Sequence, residues 1–245
     1  MEEIWDSSKW REYIKDDNNF NQKIPFDFKN ISFKLQKAAI TPDKLNPFYT
    51  ISSIFDFTKF FSKISSALSR GFEDITKKSQ LMREKFELYK DSTDIQNLLL
   101  KEIELGIHKL NGNNNKSLGY KNGEYAKYVS ATRTFLRLLW FLEYLIDVFE
   151  NVLKDDGKGA IKKILGDSYD NVLSPHHSFL VRRAVSIAIS FSSAGTVAHT
   201  VEIIFGYKDF DDKARKDIQN TIDLMKIIWS GGNEFYETRD LLGLE

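Results

Sequence analysis

Apolar residues recur along most of this chain at intervals of three and four positions, the spacing of one face of an α-helix. The first clear stretch contains Phe57, Phe60, Phe61, Ile64, Ala67 and Leu68. The second contains Phe135, Leu138, Leu139, Leu142, Ile146 and Phe149. Strict alternation of apolar and polar residues, which indicates a half-buried strand, is hard to find. The pattern therefore predicts an all-α fold.

Turn and cap residues divide the pattern into separate helices. The stretch 42–47, with a proline at each end, separates a helix that starts near Phe28 from one that starts near Phe48. Residues 91–94 offer N-cap side chains before a helix at Ile95. Further breaks are predicted at 112–115, 155–159 and 174–175, the last before a helical segment over 177–194. We expect roughly eight helices, and the pattern shows no obvious domain boundary.

Composition limits the class of protein. With 42% hydrophobic residues the chain can bury a large core, which excludes bulk disorder. The 35 Lys and Arg residues balance 35 Asp and Glu residues, so nucleic-acid binding through bulk positive charge is disfavoured. Cysteine is absent, which excludes disulfides, thiolate zinc sites and a cysteine nucleophile.

Neither a leader nor a membrane span is predicted. Residues 1–17 are acidic and aromatic, unlike the basic and then apolar pattern of a secretory leader. The longest stretch without a charged residue, 184–201, contains several Ser and Thr residues and His199, whereas a span needs about 20 mostly apolar residues. We therefore expect a soluble cytoplasmic protein.

Motifs for catalysis are weak. No glycine-rich loop suited to nucleotide phosphates is present, and the Gly157–Gly159 stretch is best interpreted as a turn. His176 and His177 are adjacent and lack a ligand partner at helical spacing, so no metal site and no cofactor are predicted. Ser174 and Ser178 flank this pair without the G-x-S-x-G elbow of a serine hydrolase. The sequence favours a protein that is not an enzyme.

Two pairs of charged residues are more informative. Asp74 and Lys78 are four positions apart, which by itself is typical of an exposed ion pair on a helix. Arg133 and Arg137 have the same spacing inside a strongly apolar run, on a face that continues through Trp140. Two like charges there repel each other and lose hydration unless an anion or an acidic partner neutralises them. Phosphate suits paired guanidinium groups best.

These residues resemble the glycolipid transfer protein superfamily, and specifically its ceramide-1-phosphate transfer branch. The resemblance lies in four segments and in the closing stretch 233–244, and covers about residues 28–245. It implies a single lipid-transfer domain over residues 28–245, preceded by an N-terminal extension, residues 1–27. The four segments are 72–78, 95–99, 131–138 and 169–185. It implies a two-layer all-helical sandwich that holds the chains of one sphingolipid between its layers and the headgroup in a surface cleft.

The resemblance also implies roles for individual residues. Lys78, Arg133 and Arg137 match the cluster that binds the lipid phosphate. Asp74 matches the acid that accepts hydrogen bonds from the sphingoid amide and hydroxyl, and His177 matches the donor to the acyl-amide carbonyl. In glycolipid-binding members a Trp stands at the position of Arg137 and an Asn at that of Lys78, so sugar recognition is disfavoured.

One departure from the family concerns the membrane contact. The stretch around His177 lacks the Trp that touches the membrane in the family, and Phe179 is the candidate to replace it. The expected partners are a sphingolipid, with ceramide-1-phosphate preferred, and, transiently, a membrane surface. The protein itself is expected to be a monomer that binds no nucleic acid.

Three alternatives stay open. A helical scaffold without lipid would pair the arginines with internal acids such as Glu143 or Asp147. A carrier of a neutral glycosphingolipid would share the fold. A lipid-modifying enzyme would use Asp74 and His177 as base and acid, although no metal cluster is present to assist phosphate hydrolysis.

Overall fold

The computed structural model describes residues 7–23, 26–41, 44–191 and 195–244, which are largely helical. The α-helices in this part of the chain are α1 (Ser7–Lys15), α2 (Phe28–Ala38), α3 (Pro47–Ile64), α4 (Ser66–Gly71), α5 (Glu73–Leu88), α6 (Ile95–Glu104), α7 (Ala131–Lys154), α8 (Ile161–Ser168), α9 (Phe179–Ser190), α10 (Val197–Phe205) and α11 (Asp212–Glu237). Two short antiparallel strands, β1 (Ala39–Thr41) and β2 (Lys44–Leu45), join α2 to α3. Shorter helical turns are Asp17–Phe20, Glu124–Lys127, Tyr169–Leu173 and Ser174–His176. The all-α prediction is confirmed.

The expected number of eight helices is too low, since the described residues form eleven α-helices. One reason is a break that the apolar spacing conceals. The spacing continues from Phe57 to Leu68, but Ser65 has extended dihedral angles and ends α3, after which α4 begins. Leu68 is still buried, so the pattern keeps its period across the break. A second reason is α1, which lies in the stretch that the sequence analysis treated as an extension.

Other helix boundaries follow the predicted caps. The Asp94 side chain accepts a hydrogen bond from the backbone N–H of Asn97, 2.7 Å away, and so caps α6 as expected. The segment predicted to be helical from residue 177 instead begins at Phe179, because His177 is extended. Residues 192–194 at its predicted end lie outside the described part of the chain.

The helices form a two-layer sandwich around one apolar core. The long helix α7 packs against α11, α5 and α8, whereas α3 packs against α2, α4 and α5. The predicted apolar stripe of α7 is buried throughout. At Gly232 on α11 the two longest helices come so close that a Cβ atom would lie 2.6 Å from Cδ2 of Leu139 on α7. A small residue is therefore needed at this contact.

Four aromatic rings form a cluster between the layers. Phe61 of α3 stacks on Phe72 at a centroid distance of 3.9 Å, and Phe141 and Tyr144 of α7 pack against both. Phe72 stands at the junction between α4 and α5. Its ring is thus the part of the aromatic cluster that lies at the α4–α5 junction.

The described residues of the N-terminal stretch pack onto the rest of the chain. Ile14 and Phe20 are buried in the main core, and the Arg11 guanidinium donates to the backbone carbonyl of Ser92 at 2.6 Å. The boundary at residue 27 stays a prediction. Among the described helices, none combines the length and the apolar character required to cross a bilayer.

Candidate functional site

A cleft of about 780 Å³ opens where α5, α7, α9 and the C-terminal segment 242–244 meet. Its polar wall contains four of the predicted site residues, Asp74, Lys78, Arg137 and His177. Its apolar wall is formed by Phe72, Ile75, Tyr169, Leu173, Val181, Val185, Leu242 and Leu244. The cleft therefore offers a charged rim and an apolar floor that reaches the aromatic cluster at Phe72.

A second, smaller chamber of about 280 Å³ adjoins the cleft. Asp74, Lys78 and Arg137 line both spaces, and Arg133 lines the second. Lys77 adds a further cation that the sequence analysis did not single out. The structure thus places all five predicted headgroup and amide residues in the walls of two adjoining spaces, three of them in both.

The arginines are positioned by the first turn of α7. Ser130 caps this helix by accepting a hydrogen bond from the backbone N–H of Arg133 at 3.1 Å. The buried carboxylate of Glu102 accepts from the backbone N–H groups of Ala131 and Thr132, both at 2.7 Å, and from the hydroxyl of Tyr128 at 2.6 Å. This carboxylate satisfies N–H groups that a helix start leaves without partners. Nothing in the sequence around Glu102 indicated that its carboxylate would bind the start of α7.

Arg137 is held partly out of water. Its guanidinium donates to the backbone carbonyl of Arg133 at 2.8 Å and to that of Leu244 at 3.4 Å. Burial lowers the pKa of Arg137, and the nearby Asp74 carboxylate acts in the opposite direction. Since an arginine stays charged in proteins, the cost of this burial creates a demand for an anion.

Asp74 and Lys78 form the ion pair that their spacing predicts. The Asp74 side chain is 69% exposed, whereas that of Lys78 is 19% exposed. The Lys78 side chain thus lies against the wall of the cleft, whereas the Asp74 carboxylate lies at the mouth of the cleft. Because the Asp74 carboxylate is largely exposed to water, the pair contributes little to stability, and the carboxylate can exchange this partner for another at low cost.

His177 is oriented by Tyr169. The tyrosine hydroxyl lies 2.8 Å from Nδ1 of His177. Burial lowers the pKa of His177, and the neighbouring His176 and Lys78 lower it further, against the effect of Asp74. The imidazole is accordingly neutral near pH 7. When the hydroxyl donates to Nδ1, the proton of the ring is on Nε2, which leaves a donor for a ligand carbonyl.

Sequence reasoning missed the stacking of His176 on Trp140 beside the same cleft. The two rings are 3.8 Å apart and nearly parallel, and the Arg137 guanidinium carbon lies 5.3 Å from the centroid of the Trp140 ring. Burial lowers the pKa of His176, and the charge of Arg137 adds to this effect. The sequence placed Trp140 on the same helical face as Arg133 and Arg137. Its partner His176, 36 positions away, was not identified.

Phe179, the predicted membrane contact, lies outside both spaces. It begins α9 and is 65% exposed, next to the still more exposed Leu180. Arg182 and Arg183 lie on the same helix, and both are exposed. An apolar, basic and largely uncovered helix therefore borders the cleft.

The acids considered as internal partners of the arginines lie elsewhere. Glu143 and Asp147 line a different groove with Trp229, and the Asp147 carboxylate accepts from the amide of Asn151 at 3.0 Å. The described residues also hold no group of three or more His, Asp and Glu side chains arranged to bind a metal.

Comparison with known proteins places this fold. Mouse ceramide-1-phosphate transfer protein without ligand superposes with a TM-score of 0.75 at 16% identity, over 90% of this chain and 100% of that one. The human ceramide-1-phosphate transfer protein in complex with 2:0 ceramide-1-phosphate gives a TM-score of 0.73 at 17% identity, again over 90% and 100%. At such identities the superpositions establish the fold.

Sequence comparison adds the family. The Arabidopsis thaliana protein Accelerated cell death 11 is 33% identical over 60 residues, which are 24% of this chain and span only 29% of the length of that relative. The sequence profile described as "Glycolipid transfer protein (GLTP)" matches residues 45–194, more than half of the chain. The predicted resemblance is thereby confirmed, and this chain belongs to the glycolipid transfer protein family.

Proposed function

We propose that this protein carries a phosphorylated sphingolipid between membranes, with ceramide-1-phosphate as the preferred cargo, and that it does so as a monomer without chemical change to the lipid. The observation that carries the proposal is the convergence of Lys78, Arg133 and Arg137 on the small chamber that adjoins the cleft. The ceramide-1-phosphate transfer protein of the human structure, which shares this fold, holds the same class of lipid.

The charges of the chamber favour a phosphate over a sugar. A phosphomonoester carries about −1.5 to −2 charges near pH 7, which three cations can neutralise. An uncharged hexose would leave the same cations crowded without an anion. The guanidinium of Arg137 is already partly buried, so an anion there offsets a cost that the fold has incurred.

Asp74 and His177 suit the ceramide amide. In the proposed complex the Asp74 carboxylate accepts from the amide N–H and the sphingoid hydroxyl, and Nε2 of His177 donates to the amide carbonyl. Both residues line the larger cleft, next to the chamber that would hold the phosphate. The Asp74 carboxylate would thus act as the acceptor, and Nε2 of His177 as the donor, that recognise the amide-containing backbone of the lipid.

The lipid chains require an apolar path. Exposing about thirty chain carbons to water would cost ~24 kcal/mol at ~0.8 kcal/mol per CH₂. The floor of the cleft leads to Phe72 and the aromatic cluster beneath it, which is where we place the entry of the chains. Phe179 and its neighbours on α9 would dock transiently on the membrane that supplies the lipid.

A transfer assay between vesicles tests the proposal. Wild-type protein should move ceramide-1-phosphate much faster than glucosylceramide, and faster than phosphatidic acid, which has the phosphate but lacks the amide. Arg137→Leu removes a charge-assisted contact worth roughly 1.5–3 kcal/mol, so ceramide-1-phosphate transfer should fall about ten- to a hundred-fold. Lys121→Leu, which removes one charge from an exposed loop, is the control. Equal transfer of glucosylceramide and ceramide-1-phosphate by the wild type would refute the phosphate assignment.

A further inference from the structure

The small chamber has one amide in its wall among the charged groups. Asn111 lines it together with Lys77, Lys78, Arg133 and Arg137. Neither the resemblance nor the charge pattern of the sequence pointed to this residue, which lies in a polar loop after α6. Its geometry is nevertheless more strongly determined than that of the lysines around it.

The orientation of the Asn111 amide follows from its hydrogen bonds. The side-chain oxygen accepts from the backbone N–H of Asn113 at 2.9 Å and from that of Asn114 at 2.8 Å. An atom that accepts from two N–H donors is the carbonyl oxygen, so the NH₂ group must be on the other side of the amide. Within the described residues that NH₂ group has no hydrogen-bond partner, which leaves two N–H donors for a ligand.

The loop that carries Asn111 is held rigidly. Asn115 is fully buried, and its side-chain oxygen accepts from the backbone N–H groups of Asn111 and Gly112 at 3.1 and 3.0 Å. The amide nitrogen of Asn115 donates to the carbonyls of Tyr125 and Tyr128 at 2.7 and 2.8 Å. Gly112 has a φ of 81°, which favours glycine at this turn.

The same loop is tied to the start of α7. Asn111 pairs with Val129 in an antiparallel bridge, and the N–H of Gly112 donates to the carbonyl of Tyr128 at 2.9 Å. Ser130, the cap of α7, donates its own N–H to the carbonyl of Leu110 at 2.9 Å. The backbone at Asn111 is therefore fixed relative to the first turn of α7, which carries Arg133. An amide held in this way binds an anion at a smaller ordering cost than a mobile side chain does.

We propose that Asn111 is a further headgroup residue, whose NH₂ group donates to a phosphate oxygen of the cargo. This inference rests on the proposed function. Four cations and one carboxylate already line the chamber, so another positive side chain would add repulsion, whereas an amide adds a donor without charge. In this proposal Asn111 supplies an oriented neutral donor, and the positive charge comes from Lys78, Arg133 and Arg137.

Asn111→Asp removes this donor and keeps the acceptor. The aspartate keeps an oxygen for the N–H groups of Asn113 and Asn114, so the turn is preserved, but it replaces the NH₂ group with a negatively charged oxygen. We expect ceramide-1-phosphate transfer to fall at least tenfold, with an unchanged midpoint of thermal unfolding and no loss of residual glucosylceramide transfer. Asn113→Asp makes the same change of charge at an exposed position of the same loop that does not line the chamber. It should change transfer less than twofold.

The outcomes separate the inference from the proposed function. If Asn111→Asp keeps wild-type transfer while Arg137→Leu loses it, the amide contact is wrong and the phosphate site stands. If both variants keep full transfer, the proposed function fails. Equal losses in Asn111→Asp and Asn113→Asp would indicate general repulsion and overturn the contact.

A direct measurement does not depend on transfer. The side-chain NH₂ resonances of Asn111, assigned by their loss in Asn111→Asp, should shift when short-chain ceramide-1-phosphate is added to labelled protein. Inorganic phosphate at the same concentration tests whether the headgroup alone suffices. Unmoved resonances in a protein that has bound the lipid would overturn the inference.

Discussion

The imidazole of His176 stacks on the indole of Trp140 with ring centroids 3.8 Å apart and planes 8° from parallel. This contact joins the turn before α9 to the middle of α7. The Arg137 guanidinium lies over the same indole, so Trp140 contacts a phosphate-binding candidate and itself lines the cleft. A ring engaged in this way is a support for the arginine rather than a free platform for a sugar.

Replacing Trp140 should loosen Arg137. A contact between a guanidinium and an indole is worth about 0.5–2 kcal/mol, depending on its exposure to water. Trp140→Leu should therefore reduce ceramide-1-phosphate transfer about two- to thirtyfold, while Trp140→Phe should retain most of it. Initial rates in the vesicle assay give the answer. Wild-type rates in Trp140→Leu would show that the stack does not hold the arginine.

Removing the Asp74 carboxylate should abolish transfer of any sphingolipid. Two charge-assisted hydrogen bonds at roughly 1.5–3 kcal/mol each correspond to a loss of at least about a hundredfold. His177→Leu removes a neutral hydrogen bond of about 0.5–1.5 kcal/mol and should cost up to about tenfold. Glu73→Val is the matched control for Asp74→Val, since both acids lie in the first turn of α5. Normal transfer by Asp74→Val with an unchanged unfolding midpoint contradicts the amide contact.

Removing the exposed ring of Phe179 should weaken membrane docking. Burial of a phenylalanine side chain contributes about 1.5–3 kcal/mol, and this side chain is 65% exposed at the edge of the cleft. Phe179→Ala should lower both vesicle partitioning and the rate of transfer without changing which lipid is preferred. Phe33→Ala, at another exposed phenylalanine on α2, provides the comparison. If the two variants behave alike, docking occurs on another face.

Stability should fall when the pH drops below about 6.5. Burial lowers the pKa values of His108, His176 and His177 from the ordinary value near 6.5. As the pH falls through 6.5, the unfolded chain binds protons that the folded chain does not yet bind, and unfolding is favoured. Urea unfolding at about pH 7.5, 6.5 and 5.5 measures the slope. A variant with Gln at all three positions should show a smaller decline, and an equal decline in that variant would refute the assignment.

The fold was predictable where local chemistry and apolar spacing agree. Asp94 caps α6 as a short acidic residue before an apolar run is expected to do, and the stripe of α7 is buried as its period requires. The break at Ser65 was not predictable, because the apolar spacing continues in phase on both sides of it.

The candidate site was predictable to a similar degree. Asp74, Lys78, Arg133, Arg137 and His177 were identified through their resemblance to a family, and the structure brings them together. The supports were not identified. Glu102 binds the start of α7 across 29 positions, and Asn111 pairs with Val129 through a bridge that no local pattern encodes. Contacts between distant segments of this kind leave no periodic trace in a sequence.

The ion pair between Asp74 and Lys78 has a consequence for how a carrier releases what it holds. In the proposed complex each member of the pair turns to a different part of the lipid, the carboxylate to the amide and the ammonium to the phosphate. When the lipid leaves, the ion pair between Asp74 and Lys78 forms again, so neither charge remains unpaired in the empty cleft. Under this proposal, loading and unloading are exchanges of partners in opposite directions, and no external source of energy is needed to restore the ion pair of the empty cleft.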